Sequence, residues 1–246
     1  MTDSFQKPFT IVGIGASAGG LEAVTDLIRH LPADTGMAFV FIQHLAPSHV
    51  SMLSSILAKS TTMPVLEVTN GMQVEPDHVY VIPPNTCMTI SAGILKLVPR
   101  SNGQIEMNLP IDVFLRSLAR DRGSQTVGII LSGTASDGSA GIMAIKEEGG
   151  ITFAQDEKSA KFEQMPQNAI ATGCVDFVLN TEKMAESLGD ISRHPHANPS
   201  ESQIDKLLPE TDETFRQIVY LLRKRREDDG GVLQSRVFKT RAQATI

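Results

Sequence analysis

A chain of 246 residues is long enough for one sizeable domain with a buried core. Its apolar content (41%) and charged content (20%) are those of an ordinary globular protein, and a net charge of -6 with two Tyr and no Trp argues against nucleic-acid binding. No apolar run reaches the length of a membrane-spanning helix, MTDSFQKPFT lacks a signal peptide's apolar stretch, and Cys87 and Cys174 are too few for a disulfide framework or a zinc site. The expectation is a cytoplasmic protein with no membrane insertion.

Residues 1–8 read as a leader, and from Phe9 short β-branched runs alternate with helical patterns. Phe9 to Gly15 reads as a buried strand, Leu21 to Leu31 as an amphipathic helix, Met37 to Gln43 as a second strand and Ser48 to Lys59 as a second helix. Val65 to Val68 is a third strand. His78 to Ile82, Cys87 to Ile90 and Ile94 to Val98, divided by Pro-Pro-Asn and Ser-Ala-Gly turns, read as an antiparallel excursion. Alternation then resumes: helix Ile111 to Asp121, strand Thr126 to Leu131, helix Ala140 to Glu148, strand Ile151 to Ala154, helix Gln167 to Ala171, strand Val175 to Leu179 and helix Thr181 to Leu188. Repeated strand–helix units predict a doubly wound α/β fold, with a mostly parallel sheet, helices on both faces and a small antiparallel excursion. The main domain is expected over 9–189. A proline-containing linker is expected over 190–209, an amphipathic helix over 210–227 and a disordered tail over 228–246.

The strongest local motif is Gly15-Ala16-Ser17-Ala18-Gly19, a G-x-S-x-G between a predicted strand and a predicted helix. A serine at such a turn projects its hydroxyl past the sheet edge, and amides at the start of the next helix point at the same spot. The same residues fit a dinucleotide-binding turn, Gly13-x-Gly15-x-x-Ala18, which needs a carboxylate near the end of the second strand. That strand instead ends Gln43-His44-Leu45, which shifts the balance towards nucleophilic catalysis with His44 as base. The other histidines suit surface, helix-end or linker positions better. A third strand leads into Ser132-Gly133-Thr134-Ala135-Ser136-Asp137-Gly138, where Asp137 is either a helix cap or the carboxylate that orients the imidazole.

These residues resemble the chemotaxis protein-glutamate methylesterases of the CheB type. The resemblance covers roughly Thr10 to Leu188. It rests on IGASAGG (14–20), QHL (43–45), NGMQVEPDHVYVIPP (70–84), LPIDVFLRSLA (109–119), GIILSGTASDG (128–138) and FAQDEKSAKFEQMPQNAI (153–170). It implies Ser17 as nucleophile, His44 as general base and Asp137 as third triad member, with Ala18, Gly19 and Thr134 supporting the oxyanion and its loop. It implies hydrolysis of glutamyl methyl esters on chemoreceptor signalling helices or a similar methylated protein, releasing methanol. Glutamine deamidation is a further reaction of the same family, and neither metal nor organic cofactor is implied.

Family members often carry Met where Thr134 stands, Gly where Ala135 stands, and an Arg or His before the position of Pro110. Many also carry an N-terminal phosphorylatable receiver domain, whereas few residues precede the first strand here. The segment DETFRQIVYLLRKR resembles the start of the methyltransferase unit in methylesterase–methyltransferase fusions, and the esterase portion resembles those fusions most. The alternative expectation is a regulatory or binding module of the same fold with weak or no catalysis.

Overall fold

The computed structural model describes residues 9–43, 53–99 and 109–193. Among these, a seven-stranded sheet runs in the order β10-β9-β8-β1-β2-β5-β3, with every neighbouring pair parallel. Its strands are β1 (Ile11–Ala16), β2 (Ala38–Gln43), β3 (Val65–Glu67), β5 (Val79–Val81), β8 (Thr126–Ile130), β9 (Ile151–Gln155) and β10 (Phe177–Leu179). A separate antiparallel sheet joins β4 (Met72–Gln73), β7 (Ile94–Pro99) and β6 (Thr86–Ser91). The helices are α1 (Gly20–His30), α2 (Leu53–Leu57), α3 (Pro110–Arg122), α4 (Ser139–Glu147), α5 (Gln164–Ala171) and α6 (Thr181–Arg193). The predicted fold class is therefore the observed one.

Strand alternation sorts the core into two layers. Val12, Ile14 and Ala16 join Phe39, Phe41, Ile129 and Phe153 beneath α1, α2 and α6. Ile11, Val40, Ile42 and Ile130 face the other way, against Ile111, Phe114 and Leu115 of α3 and Ile142 and Ile145 of α4. Gly13 and Gly15 lie on that second face. A β-carbon at Gly13 would stand 2.6 Å from Leu115 Cδ2, and one at Gly15 would overlap the Ile111 side chain. These glycines let the first turns of α3 lie directly on the central strand. They sit inside β1, which removes them from the turn where a dinucleotide fingerprint needs them.

Four local readings change. The run at 78–82 is not part of the antiparallel excursion: β5 lies between β2 and β3 in the parallel sheet, with Val79, Tyr80 and Val81 all buried, as a doubly covered strand requires. The strand that completes the small sheet, β4, is two residues long and gives no periodic signal. Helix α5 starts at Gln164, three residues before the predicted start, because Pro166 falls in its first turn, where no intrahelical N–H bond is required. Helix α6 runs on to Arg193, with Ile191 buried and Arg193 paired with Asp190. The expectations for 1–8, 194–246 and the first part of the second helix lie outside the described residues.

β1 is followed by β2 on one side, while β8 flanks it on the other. The carboxyl ends of β1 and β8 thus form the topological switch point, where open α/β sheets place their ligands.

Candidate active site

Ser17 follows β1 directly. Its N–H donates to the Ser132 carbonyl (3.0 Å), one step beyond the Leu131 N–H that donates to Gly15 O (2.9 Å), so the β1–β8 pairing continues into the turn. The Ser17 carbonyl accepts from Gly20 N–H (2.9 Å) and from the Gln43 side-chain amide (3.3 Å). Gly19, the residue before α1, adopts a left-handed φ of 70°, and a β-carbon there would stand 2.8 Å from Ser132 Oγ. The turn therefore depends on glycine for both conformation and space.

Ser132 fastens this turn from the neighbouring strand. Its buried hydroxyl donates to Ala18 O (2.9 Å) and accepts from Phe162 N–H (3.0 Å), while its own N–H donates to Gln155 Oε1 (2.9 Å). Gly133 comes next. Its N–H donates to Phe162 O (2.9 Å), its carbonyl accepts from Met165 N–H (3.0 Å), and a β-carbon there would lie 3.0 Å from Ser17 Cβ. The loop after β8 thus passes immediately beside the serine side chain.

At this crossing the amides of Ala18, Gly19 and Thr134 have no hydrogen-bond partner among the described residues. The amides of Gly133 and Ala135, by contrast, are committed to Phe162 O and Gln164 Oε1. Thr134 is exposed, and Ala135 holds a left-handed φ of 66°.

Asp137 is buried, 5% exposed, and accepts from two amides of the first turn of α3: Ile111 N–H (3.1 Å) and Asp112 N–H (2.9 Å). Asp112 answers in kind, accepting from Gly141 N–H (2.7 Å) in the first turn of α4. Each carboxylate serves the start of the other's helix, where aligned amides favour negative charge. Burial pushes Asp137 up from 3.8 to about 6; the α3 amides oppose this and the Asp112 charge adds to it. Burial likewise raises Asp112, against the pull of the Gly141 amide and of Arg116.

Ser17, Ala18, Gly19, Thr134 and Asp137 therefore lie on two loops at the ends of neighbouring strands, while His44, which follows Gln43 of β2, lies outside the described residues. Sequence reasoning missed Ser132 and Asp112. Asp112 had a legible signal: a carboxylate directly after Pro110-Ile111 in a helix whose Ile111, Phe114, Leu115 and Leu118 form the buried stripe. Among the described residues, no group of His, Cys, Asp or Glu is arranged to hold a metal ion, and no helix is long and apolar enough to cross a membrane.

Residues 12–188 match the CheB methylesterase family. The chain belongs to that family. It is 34% identical over 181 residues to a protein-glutamate methylesterase/protein-glutamine glutaminase of Photorhabdus laumondii, covering 72% of this chain and 51% of that protein. The corresponding enzyme 1 of Geobacter metallireducens is 35% identical over 188 residues, covering 75% and 52%. An uncharacterized 104.1 kDa protein of Rhodobacter capsulatus is 41% identical over 138 residues, 56% of this chain and 14% of its own length. The chain thus spans about half the length of the methylesterases it matches. Among solved structures, the Thermotoga maritima CheB methylesterase catalytic domain superposes with a TM-score of 0.68 at 28% identity, covering 74% of this chain and 98% of that one.

Proposed function

We propose that the protein hydrolyses glutamyl methyl esters on chemoreceptor-type proteins in the cytoplasm, with Ser17, His44 and Asp137 as one catalytic unit. The carrying observation is the crossing of two loops at the switch point, where Gly133 backs directly onto Ser17. His44 takes the hydroxyl proton as Ser17 Oγ attacks the ester carbonyl. The Ala18 and Thr134 amides, uncommitted among the described residues, receive the oxyanion, with the Gly19 turn holding Ala18 in place. Methanol departs with the proton returned by His44, and water then attacks the acyl-serine by the same route in reverse. A glutamine carboxamide presents the same carbonyl with ammonia as leaving group, which makes deamidation a second reaction of this site.

The test is methanol release from a methylated receptor signalling fragment. Wild type should release methanol and Ser17→Ala should fall to background; equal background release from both would refute the esterase. A second reading, a binding module of the same fold with little catalysis, draws on the left-handed φ of 66° at Ala135. Fragment binding by wild type without methanol release would favour it.

A further inference from the structure

Helix α5 carries two polar side chains that the catalytic reading leaves unused, and both reach the same residue of the loop beside Ser17. The Gln164 carboxamide oxygen accepts from Ala135 N–H (3.2 Å), and the Asn168 amide nitrogen donates to Ala135 O (2.8 Å). The partner fixes which end of each amide is engaged. Gln164 and Asn168 stand four residues apart, so one helix face presents both. Together they grip the donor and the acceptor of a single residue.

That residue is itself under strain, with a left-handed φ of 66°. A left-handed φ costs an L-residue with a β-carbon a population factor of about 5 to 30 relative to its ordinary conformation. The other left-handed residues bearing a β-carbon among the described ones fit the same logic. Asp77 and Asn85 are of types that tolerate this region, and Ala92 has its amide held by the Asp121 carboxylate (2.5 Å). Ala135 lies between Thr134, whose amide faces no described partner, and the Asp137 carboxylate. Relaxation of Ala135 would turn the Thr134 peptide away and drag on Asp137.

We infer that Gln164 and Asn168 are positioning residues: they hold Ala135 in its left-handed conformation and so keep the Thr134 amide and Asp137 in the places catalysis requires. The inference rests on the proposed esterase reading for its effect on rate, though the grip itself is independent of it.

Two isosteric variants of the full chain test this, since each adds one negative charge to the same helix face and only one breaks a hydrogen bond. Gln164→Glu keeps an oxygen for the Ala135 N–H; Asn168→Asp removes the donor to the Ala135 carbonyl. The probe is a peptide carrying a glutamate γ-methyl ester. Asn168→Asp should lower kcat about tenfold with KM changed less than twofold, and Gln164→Glu should stay within about twofold of wild type. Ala135→Gly added to Asn168→Asp should restore kcat, because glycine holds the left-handed region without the grip. Equal effects of the two variants, or failure of Ala135→Gly to restore the rate, would overturn the inference. Should wild type release no methanol, the esterase reading falls by itself. Hydrogen exchange then still decides the grip: the Ala135 amide should exchange at least fivefold faster in Asn168→Asp than in Gln164→Glu, and equal rates would overturn it.

Discussion

Asp137 offers the sharpest link between the fold and a measurable quantity. Its carboxyl is buried and pushed up to about 6 from 3.8, burial being the main cause. Between those values the native state binds more protons than the unfolded chain, so this residue's contribution to stability is complete below about pH 4. It falls as pH rises through about 6 and stays flat above. A rise of roughly two units at about 1.36 kcal/mol each amounts to about 3 kcal/mol. Urea unfolding of wild type and Asp137→Ala from pH 4 to pH 7.5 isolates the term. Loss of the two α3 amide bonds affects the variant at every pH, whereas only wild type carries the titration. The stability advantage of wild type over the variant should therefore shrink by about 2 kcal/mol across that range, the remainder lying below pH 4. An advantage that is constant, or that grows with pH, would refute the assignment of a buried, proton-favouring carboxyl at this position.

Ser132→Ala should cost about 1–3 kcal/mol in chemical unfolding, because it leaves the Ala18 carbonyl and the Phe162 amide without their shared hydroxyl. The same variant should lower kcat, measured as methanol release, by loosening the serine turn. Gly15→Ala should cost about 1–3 kcal/mol as its new methyl forces the Ile111 side chain and the first turn of α3 away; since that turn binds Asp137, kcat should fall with it. The pH profile of kcat/KM should lose activity as pH falls through about 6, where Asp137 takes up its proton. Asp112→Asn, which removes the neighbouring negative charge, should move that limb to lower pH.

Most of the architecture was legible because the parallel sheet writes itself as apolar runs at strand spacing, and β1, β2, β8 and β9 lie close to their expected bounds. The serine turn was legible because its glycines answer a geometric demand, and Gly19 does hold a left-handed φ. What stayed hidden was held by long-range partners. The role of Ser132 depends on Phe162, thirty residues on, and the mutual capping of Asp112 and Asp137 joins two helices across a similar gap. Strand β5 was read correctly as a strand and placed in the wrong sheet, because three buried residues say nothing about which neighbours cover them. Ala135 was visible as a departure from the family's glycine; its left-handed φ and its two partners on α5 were not.

If Ser17 and His44 act as one unit, the rates of their single and double alanine variants reveal it most directly. Methanol release from a saturating glutamate γ-methyl ester peptide should fall about equally in Ser17→Ala and His44→Ala, and the double variant should be no slower than the slower single one. Losses that multiply in the double variant, or a single variant at the wild-type rate, would contradict the account.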